Sequence, residues 1–215
     1  MDLYKYEKKL YKDGVEYVGG VDEVGRGPLI GPVVSACVVL PKKIKIKGLT
    51  DSKKLSEKKR NEYYKIIMDK ALSIGIGIVD NKRIDEINIY EATKESMILA
   101  INKCNINIQH ILIDAMKLNL NVNSTSIIKG DQKSISIAAA SVIAKVTRDE
   151  IMYKMDNKYP QYDFKNNKGY PTRKHIDAIK KYGILEEHRR SYKPVIDYLN
   201  NIIWFFKKNM YNNAY

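Results

Sequence analysis

Cysteine is nearly absent from this chain, with Cys37 and Cys104 the only two in 215 residues. Two are too few for a disulfide framework, and their spacing fits no metal-ligand pattern. Cys37 also falls in an apolar strand pattern, so a reduced, cytoplasmic setting is expected. Histidine is almost as scarce. His110, His175 and His188 are scattered and show no HExxH spacing, which argues against a zinc protease. No GxSxG elbow occurs, which argues against a serine hydrolase. The stretch "GRGPLIG" (25–31) fits neither a P-loop nor the GxGxxG fingerprint, because Ile30 stands where the third glycine should be. The longest apolar run, Leu29 to Leu40, is broken by Gly31 and Pro32 and is too short to span a bilayer. The N-terminal "MDLYKYEKKLYKDG" has no signal-peptide apolar region. A soluble protein without a membrane partner is therefore expected. Internal repeats, low-complexity tracts and linkers rich in Ser, Gly or Pro are missing as well.

What remains is a globular composition, 44% hydrophobic and 29% charged, of a length that suits one domain with a helical extension. The net charge of +13 favours an anionic partner such as nucleic acid. An AT-rich genome, which inflates Lys, Asn and Ile, would raise the charge too, so charge alone decides little.

Periodicity predicts strands at 17–24, 33–41, 73–80, 110–115 and 124–130. Helices are expected at 4–12, from Ser56 as N-cap to about 72, at 88–105, at 135–155, at 172–183 and in the final "YKPVIDYLNNIIWFFKK". Strands with short connections, followed by alternating helices and strands, imply an α/β fold: a mixed sheet flanked by helices.

Four acids stand at strand ends or at a helix entrance: Asp22 and Glu23 in "VDEVG", Asp114 in "ILIDA" and Asp131 in "IKGDQKS". Carboxylates gathered at one sheet edge repel, and protonation or a bound cation must relieve the repulsion. Oxygen-only ligands suit Mg²⁺ or Mn²⁺, and a pair of such ions serves in-line displacement at phosphorus. Each acid alone reads better as a surface residue at a strand terminus; the four together favour a shared site. Asp149 in "VTRDE" rivals the fourth position but, mid-helix beside Arg148, reads as a salt-bridge or surface residue.

Gly25 and Gly27 around Arg26 make either a plain turn or a place where a ligand meets the backbone, with Arg26 adding a phosphate contact. Tyr170 in "NKGYPTRKH" is either a structural aromatic or a stacking surface for a sugar or base. Lys53 and Lys54 in "TDSKKLS" are either solvated or phosphate contacts.

Taken together, "GVDEVGRGPLIGPVV", "LTDSKKLS", "ILIDA", "KGDQKSISIAAASVIAKVTRD", "YPQYDF", "KGYPTRKH" and "HRRSY" resemble, in order, the type 2 ribonuclease H family, ribonuclease HII, from about Tyr17 to Tyr198. Val24 departs from the small Ala usual after the Glu. The resemblance implies a ribonuclease H-like mixed five-stranded sheet flanked by helices, with a helical C-terminal extension. It divides the chain into a basic helical lead-in (1–16), a catalytic domain (17–160) and an extension (161–215) that brings Tyr170 to the site. It further implies an endonuclease that cleaves RNA in RNA–DNA hybrids and incises 5′ to single ribonucleotides embedded in duplex DNA. Two metal ions, Mg²⁺ or Mn²⁺, would be held by Asp22, Glu23, Asp114 and Asp131, leaving 5′-phosphate and 3′-hydroxyl ends. The Gly25–Arg26–Gly27 backbone would contact the 2′-OH, and Tyr170 would pack on the adjoining deoxyribose.

Another metal nuclease of the same fold would explain the acids but not the glycine loop with Tyr170. A non-catalytic nucleic-acid binder would leave four acids as a penalty on phosphate binding. A monomer is expected. At the C-terminus, Ile202, Phe205 and Phe206 have the spacing of a sliding-clamp peptide, but Leu199 replaces the usual Gln, and helix packing explains them better.

Overall fold

The computed structural model describes residues 3–46, 48, 49, 52 and 55–201. Lys53, Lys54 and the clamp-like Ile202, Phe205 and Phe206 lie outside the described residues. Helix α1 (Lys5–Lys12) precedes strands β1 (Val18–Val24) and β2 (Val33–Val39), which flank the glycine-rich segment. Then come α2 (Glu57–Lys70), β3 (Ser73–Val79), α3 (Asn81–Asn102), β4 (His110–Asp114), β5 (Asn123–Ile127) and α4 (Ile135–Lys158). Short α5 (Phe164–Asn167), α6 (Arg173–Tyr182) and a helix from 193 through 201 complete the described chain.

The five strands form one sheet in the order β3-β2-β1-β4-β5. β1 pairs antiparallel with β2 and parallel with β4, and β4 pairs parallel with β5. All seven residues of β2 are buried, because helices cover both faces. On one face, Ala36 and Val38 meet Ala139 and Ile143 of α4 and Ile67 of α2. On the other, Val21, Cys37, Ile111 and Ile113 meet Met97 and Ala100 of α3. Each fully buried Val, Ile or Met side chain contributes about 1.5–3 kcal/mol relative to exposure.

Both helices lie unusually close to the sheet, and glycine is the reason. A Cβ on Gly20 of β1 would come 2.1 Å from the Ser136 carbonyl carbon of α4. One on Gly77 of β3 would come 1.9 Å from the Ser96 carbonyl oxygen of α3. α1 secures α4 from outside. Its buried Glu7 carboxylate accepts from the Ser134 hydroxyl (2.5 Å) and the Ser136 amide (3.1 Å) at the start of α4.

Three element boundaries differ from the sequence-based expectation. α3 starts at 81 rather than 88, because it is two helical pieces joined at Asn88 (φ 67°). Asp80 caps the first piece by accepting from the Arg83 amide. The Asn88 side chain caps the second by accepting from the amides of Tyr90 and Glu91. β5 stops at Ile127 rather than 130, because Lys129 turns left-handed (φ 56°) into a short 3-10 turn, Gly130–Gln132. α4 runs on to Lys158. Among the described residues, no helix is long and apolar enough to cross a membrane.

The backbone contacts at Gly75 and Gly77 leave no rotamer that would absorb an added methyl. Gly77→Ala should cost about 3 kcal/mol of overpacking and lower the melting temperature by roughly 6–12 °C. Gly14→Ala, whose Cβ meets nothing within 4 Å, carries only the strain of its positive φ and should shift it less. Differential scanning calorimetry of the two variants checks the ranking.

Candidate active site

The parallel register of β1 and β4 brings the first two acids together. Val18 pairs with His110 and Val21 with Ile113, so Asp22 and Asp114 are the next step on adjacent strands, which lie ~4.8 Å apart. Alternation puts both on the face covered by α4, the face onto which Gly20 and Leu112 point. Asp22 is buried. Its Oδ1 accepts from the Glu23 amide (2.8 Å), and its side chain bonds Ser141 of α4. Ser141 in turn exchanges a hydrogen bond with Ser52 (2.8 Å). Burial, and next the charges of Glu23 and Asp114, hold the Asp22 carboxyl well above the usual carboxylate range.

The turn after β5 supplies the fourth acid. Gly130 donates its amide to Asp114 Oδ1 (2.6 Å), which places the neighbouring Asp131, itself buried, at the same sheet end and at the entrance to α4. Among the described residues, no three acids, histidines or cysteines close into a ready metal cage. The donor set nonetheless suits a hard divalent cation: all oxygen, partly buried and mutually repelling. Mg²⁺ in particular keeps several waters and binds through one or two carboxylates plus substrate phosphate, so an open arrangement fits it. The rival Asp149 is engaged elsewhere, ion-paired with Lys145 at 2.5 Å.

The glycine loop is built from behind by two buried arginines that the sequence reading did not single out. Arg189 donates to the carbonyls of Gly25 (2.6 Å), Arg26 (3.0 Å) and Gly31 (2.9 Å). Arg148 donates to those of Ile30 (3.2 Å) and Pro32 (3.0 Å) and, across the fold, to Lys168 (3.0 Å). The Tyr192 hydroxyl adds a bond to the Arg26 carbonyl. The amides of Leu29 and Gly31 are used as well, donating to the carbonyls of Gly169 (2.8 Å) and Glu187 (3.0 Å), so the stretch is held through both kinds of backbone group. Gly25 (φ +99°) must be glycine, since a Cβ there would sit 2.3 Å from Arg148 Nε. Burial lowers both guanidinium pKa values, that of Arg148 to about 10, so both stay charged at neutral pH. A signal for Arg148 existed in the sequence. It falls on the i, i+3, i+4 stripe of Ser141, Ala144 and Met152, a charged residue on an otherwise buried helix face. Nothing comparable marks Arg189, in an irregular segment.

Tyr170 is brought to this loop from the C-terminal part of the chain. Its ring lies against Gly27, where a Cβ would be 3.2 Å from Tyr170 Cε1, and it remains 41% exposed. Arg26 is exposed and lies 3.6 Å from Glu23. Tyr170 stands between two cavities that share Glu23. One, of about 570 Å³, includes Gly25, Arg26, Gly27 and Tyr192; the other, of about 270 Å³, includes Ser52, Arg60, Ser141 and Lys145. Another cavity, of about 750 Å³, lies between Tyr4 and Lys8 on one side and Ile44, Ile46 and Leu49 on the other, with no acid among the described residues that line it.

This geometry has counterparts among known proteins. The family model for Ribonuclease HII matches residues 19–195. Ribonuclease HII of Bacillus cytotoxicus is 53% identical over 201 residues, which span 94% of this chain and 78% of that protein. The crystal structure of ribonuclease H2 from Pyrococcus horikoshii is similar with a TM-score of 0.74 at 29% identity, over 86% of this chain and 98% of that one. The Archaeoglobus fulgidus RNase HII solved with PCNA shares the fold, with a TM-score of 0.68 at 24% identity over 82% and 95% of the two chains. The chain belongs to the ribonuclease HII family, metal-dependent nucleases that hydrolyse the RNA of RNA–DNA hybrids.

Proposed function

We propose that this chain, besides cleaving hybrids, incises duplex DNA on the 5′ side of a single embedded ribonucleotide, using Asp22, Glu23, Asp114 and Asp131. The observation that carries this reading is the contact of Tyr170 with Gly27, beside acids on β1 and β4. A reader of the sugar thus abuts the carboxylates that would act on the adjacent phosphate. The Gly25–Gly27 backbone would contact the 2′-OH, the group that separates RNA from DNA. The Tyr170 ring suits the face of the following deoxyribose.

Two divalent cations, Mg²⁺ or Mn²⁺, would supply a water of lowered pKa and neutralise the leaving 3′ oxygen. The chain's own tasks are positional. Asp22 and Asp114 present oxygens from a rigid sheet edge, Ser141 and the Gly130 amide fix their rotamers, and burial excludes bulk water from Asp22. Water, rather than the 2′-OH, attacks phosphorus, so the products carry 5′-phosphate and 3′-hydroxyl ends. Arg26, and Lys53 and Lys54 in the segment beyond the described residues, would contact phosphates. Leu199 packs with the C-terminal cluster of Leu29, Tyr162 and Val195.

Asp22→Asn, Asp114→Asn and Asp131→Asn should each bind hybrid yet lose about a thousandfold or more in single-turnover cleavage, roughly 4 kcal/mol of transition-state stabilisation. Asp149→Asn should cleave far better than any of them. The reverse order would remove Asp131 from the site.

Asp22 ionises above the ordinary carboxylate range in the folded chain, so its contribution to stability is present at low pH. That contribution is lost as pH rises from the unfolded value, near 4, through the raised folded one. A divalent cation relieves this repulsion. Mg²⁺ should therefore raise the melting temperature more at pH 8 than at pH 5, as measured by thermal shift in magnesium and in EDTA.

Tyr170→Ala removes a stacking surface worth roughly 1–3 kcal/mol, one to two decades in rate on a single embedded ribonucleotide. A long hybrid has ribose on both sides of the cut and leans less on this contact. The ratio of the two single-turnover rates should shift towards the hybrid, and Tyr170→Phe should shift it less. An unchanged ratio in a folded variant would make Tyr170 a structural aromatic only.

A further inference from the structure

Behind Tyr170 lies a chain of hydrogen bonds through two buried imidazoles. The Leu185 amide reaches His188 Nδ1 (2.8 Å), His188 Nε2 lies 3.2 Å from His175 Nε2, and His175 Nδ1 lies 3.0 Å from the Tyr170 carbonyl oxygen. Chemistry leaves this chain one arrangement of protons. An amide N–H only donates, so His188 Nδ1 must be a lone pair, and the neutral ring carries its proton on Nε2. That proton can point only at His175 Nε2, which must then be the acceptor. His175 therefore carries its proton on Nδ1, where it meets a carbonyl that only accepts. Every donor and acceptor is matched with both rings neutral. One extra proton would set two N–H groups against each other across 3.2 Å.

The surroundings favour the neutral pair. Both side chains are buried. Burial lowers the His175 pKa; burial, and next His175 itself, lower that of His188 to about 3. The rings of Tyr162 and Phe164 face the pair. Tyr162 is the one titratable neighbour among them, and its hydroxyl donates to the Gly183 carbonyl. Among the described residues, no carboxylate is ion-paired with either imidazole.

We propose that His188 and His175 are positioning residues for Tyr170: a neutral, tautomer-locked relay that holds the Tyr170 backbone so that its exposed ring stays against Gly27. The inference rests on the reading of Tyr170 as the sugar reader. It adds how that partly exposed ring is held: the constraint enters through the carbonyl. The Asn167 carbonyl, which accepts from the Tyr170 amide (2.9 Å), and the Thr172 amide, which donates to the same Tyr170 carbonyl (2.8 Å), fix the rest of the turn. The relay ties this turn to Leu185 and so to the segment that carries Arg189, the residue that shapes the glycine loop. Both halves of the sugar reader are thereby fixed to one short stretch, 185–189.

Two measurements test the relay. Nitrogen-15 NMR of the imidazoles in the wild-type chain should find His188 in the Nε2–H form and His175 in the Nδ1–H form, with His188 still neutral at about pH 5 and His175 titrating below the ordinary imidazole value. The opposite tautomer at either ring, or titration near the ordinary value, overturns the relay without any variant having to fold. Single-turnover rates on the embedded-ribonucleotide and long-hybrid substrates then read its effect. His188→Phe should lower the embedded-to-hybrid ratio three- to tenfold. His188→Gln, whose side chain can still accept from Leu185 and donate to His175, should restore most of it. An unchanged ratio in Tyr170→Ala would overturn the underlying reading. A ratio changed in Tyr170→Ala but not in a folded His188→Phe would overturn the relay alone, as would a His188→Gln variant no better than His188→Phe.

Discussion

The candidate site depends on one close approach, that of helix α4 to strand β1 at Gly20. Only a hydrogen there lets the Ser136 backbone come down on the strand. Two residues further along β1, on the same face, Asp22 then meets Ser141, a little over one turn further along α4. The N-terminus of α4 must in turn start beside β4, so the turn that carries Asp131 is drawn to Asp114 through the Gly130 amide. The helix and the acids are thus a single packing solution. The alanines of "ISIAAASVIA" belong to it, since larger side chains would lift the helix from the sheet.

Charge is arranged in two opposing layers around this contact. At the sheet end the Asp22 carboxyl is held above its usual range by burial and next by the charges of Glu23 and Asp114, an arrangement that a cation or a proton relieves. A few residues away, two guanidiniums are buried with carbonyl oxygens rather than carboxylates as partners. Burying a charge in this way is costly unless its hydrogen bonds are filled, and here the backbone of 25–32 fills them. The return is a loop fixed from behind through its carbonyls, so that on the proposed reading its Gly25–Gly27 backbone donates beside an acidic surface. A phosphodiester next to a ribose asks for that combination: cations at the phosphate, donors at the hydroxyl.

On the proposed reading, the C-terminal segment is what turns a phosphate site into one that inspects a sugar. Tyr162, Phe164 of α5 and Ile179 of α6 pack onto Leu29, Ile30 and the late turns of α4, where Met152 lies. Arg148 reaches from the core to the Lys168 carbonyl, and Arg189 reaches back to Gly25. The extension is therefore fastened to the loop by the same groups that shape it, and Tyr170 arrives against Gly27 as a consequence.

Much of this was legible in the sequence because it is local. The period-2 runs became β1 to β4 within a residue or two, and the mixed five-stranded sheet is the one expected. The boundaries that moved, at Asn88 and Lys129, turn on a side-chain cap and a left-handed residue, whose choice depends on what the chain packs against next. The acids were visible as charges at the ends of apolar strands, and Gly25 and Gly27 as glycines beside them. Arg189 and His188 gave no such sign, since a lone charge or imidazole in an irregular stretch looks the same whether it is solvated or buried, and His175 of α6 stands in a helix whose sequence does not name its partner. The sequence by itself determined which residue types were available and in what local conformation each would stand. Tertiary structure alone decided the partners: parallel register set Asp22 beside Asp114, and burial forced Arg148 and Arg189 onto backbone carbonyls. It also locked His188 and His175 into neutral tautomers, because hydrogen-bond choice and pKa depend on what surrounds a group in space and not on its neighbours along the chain.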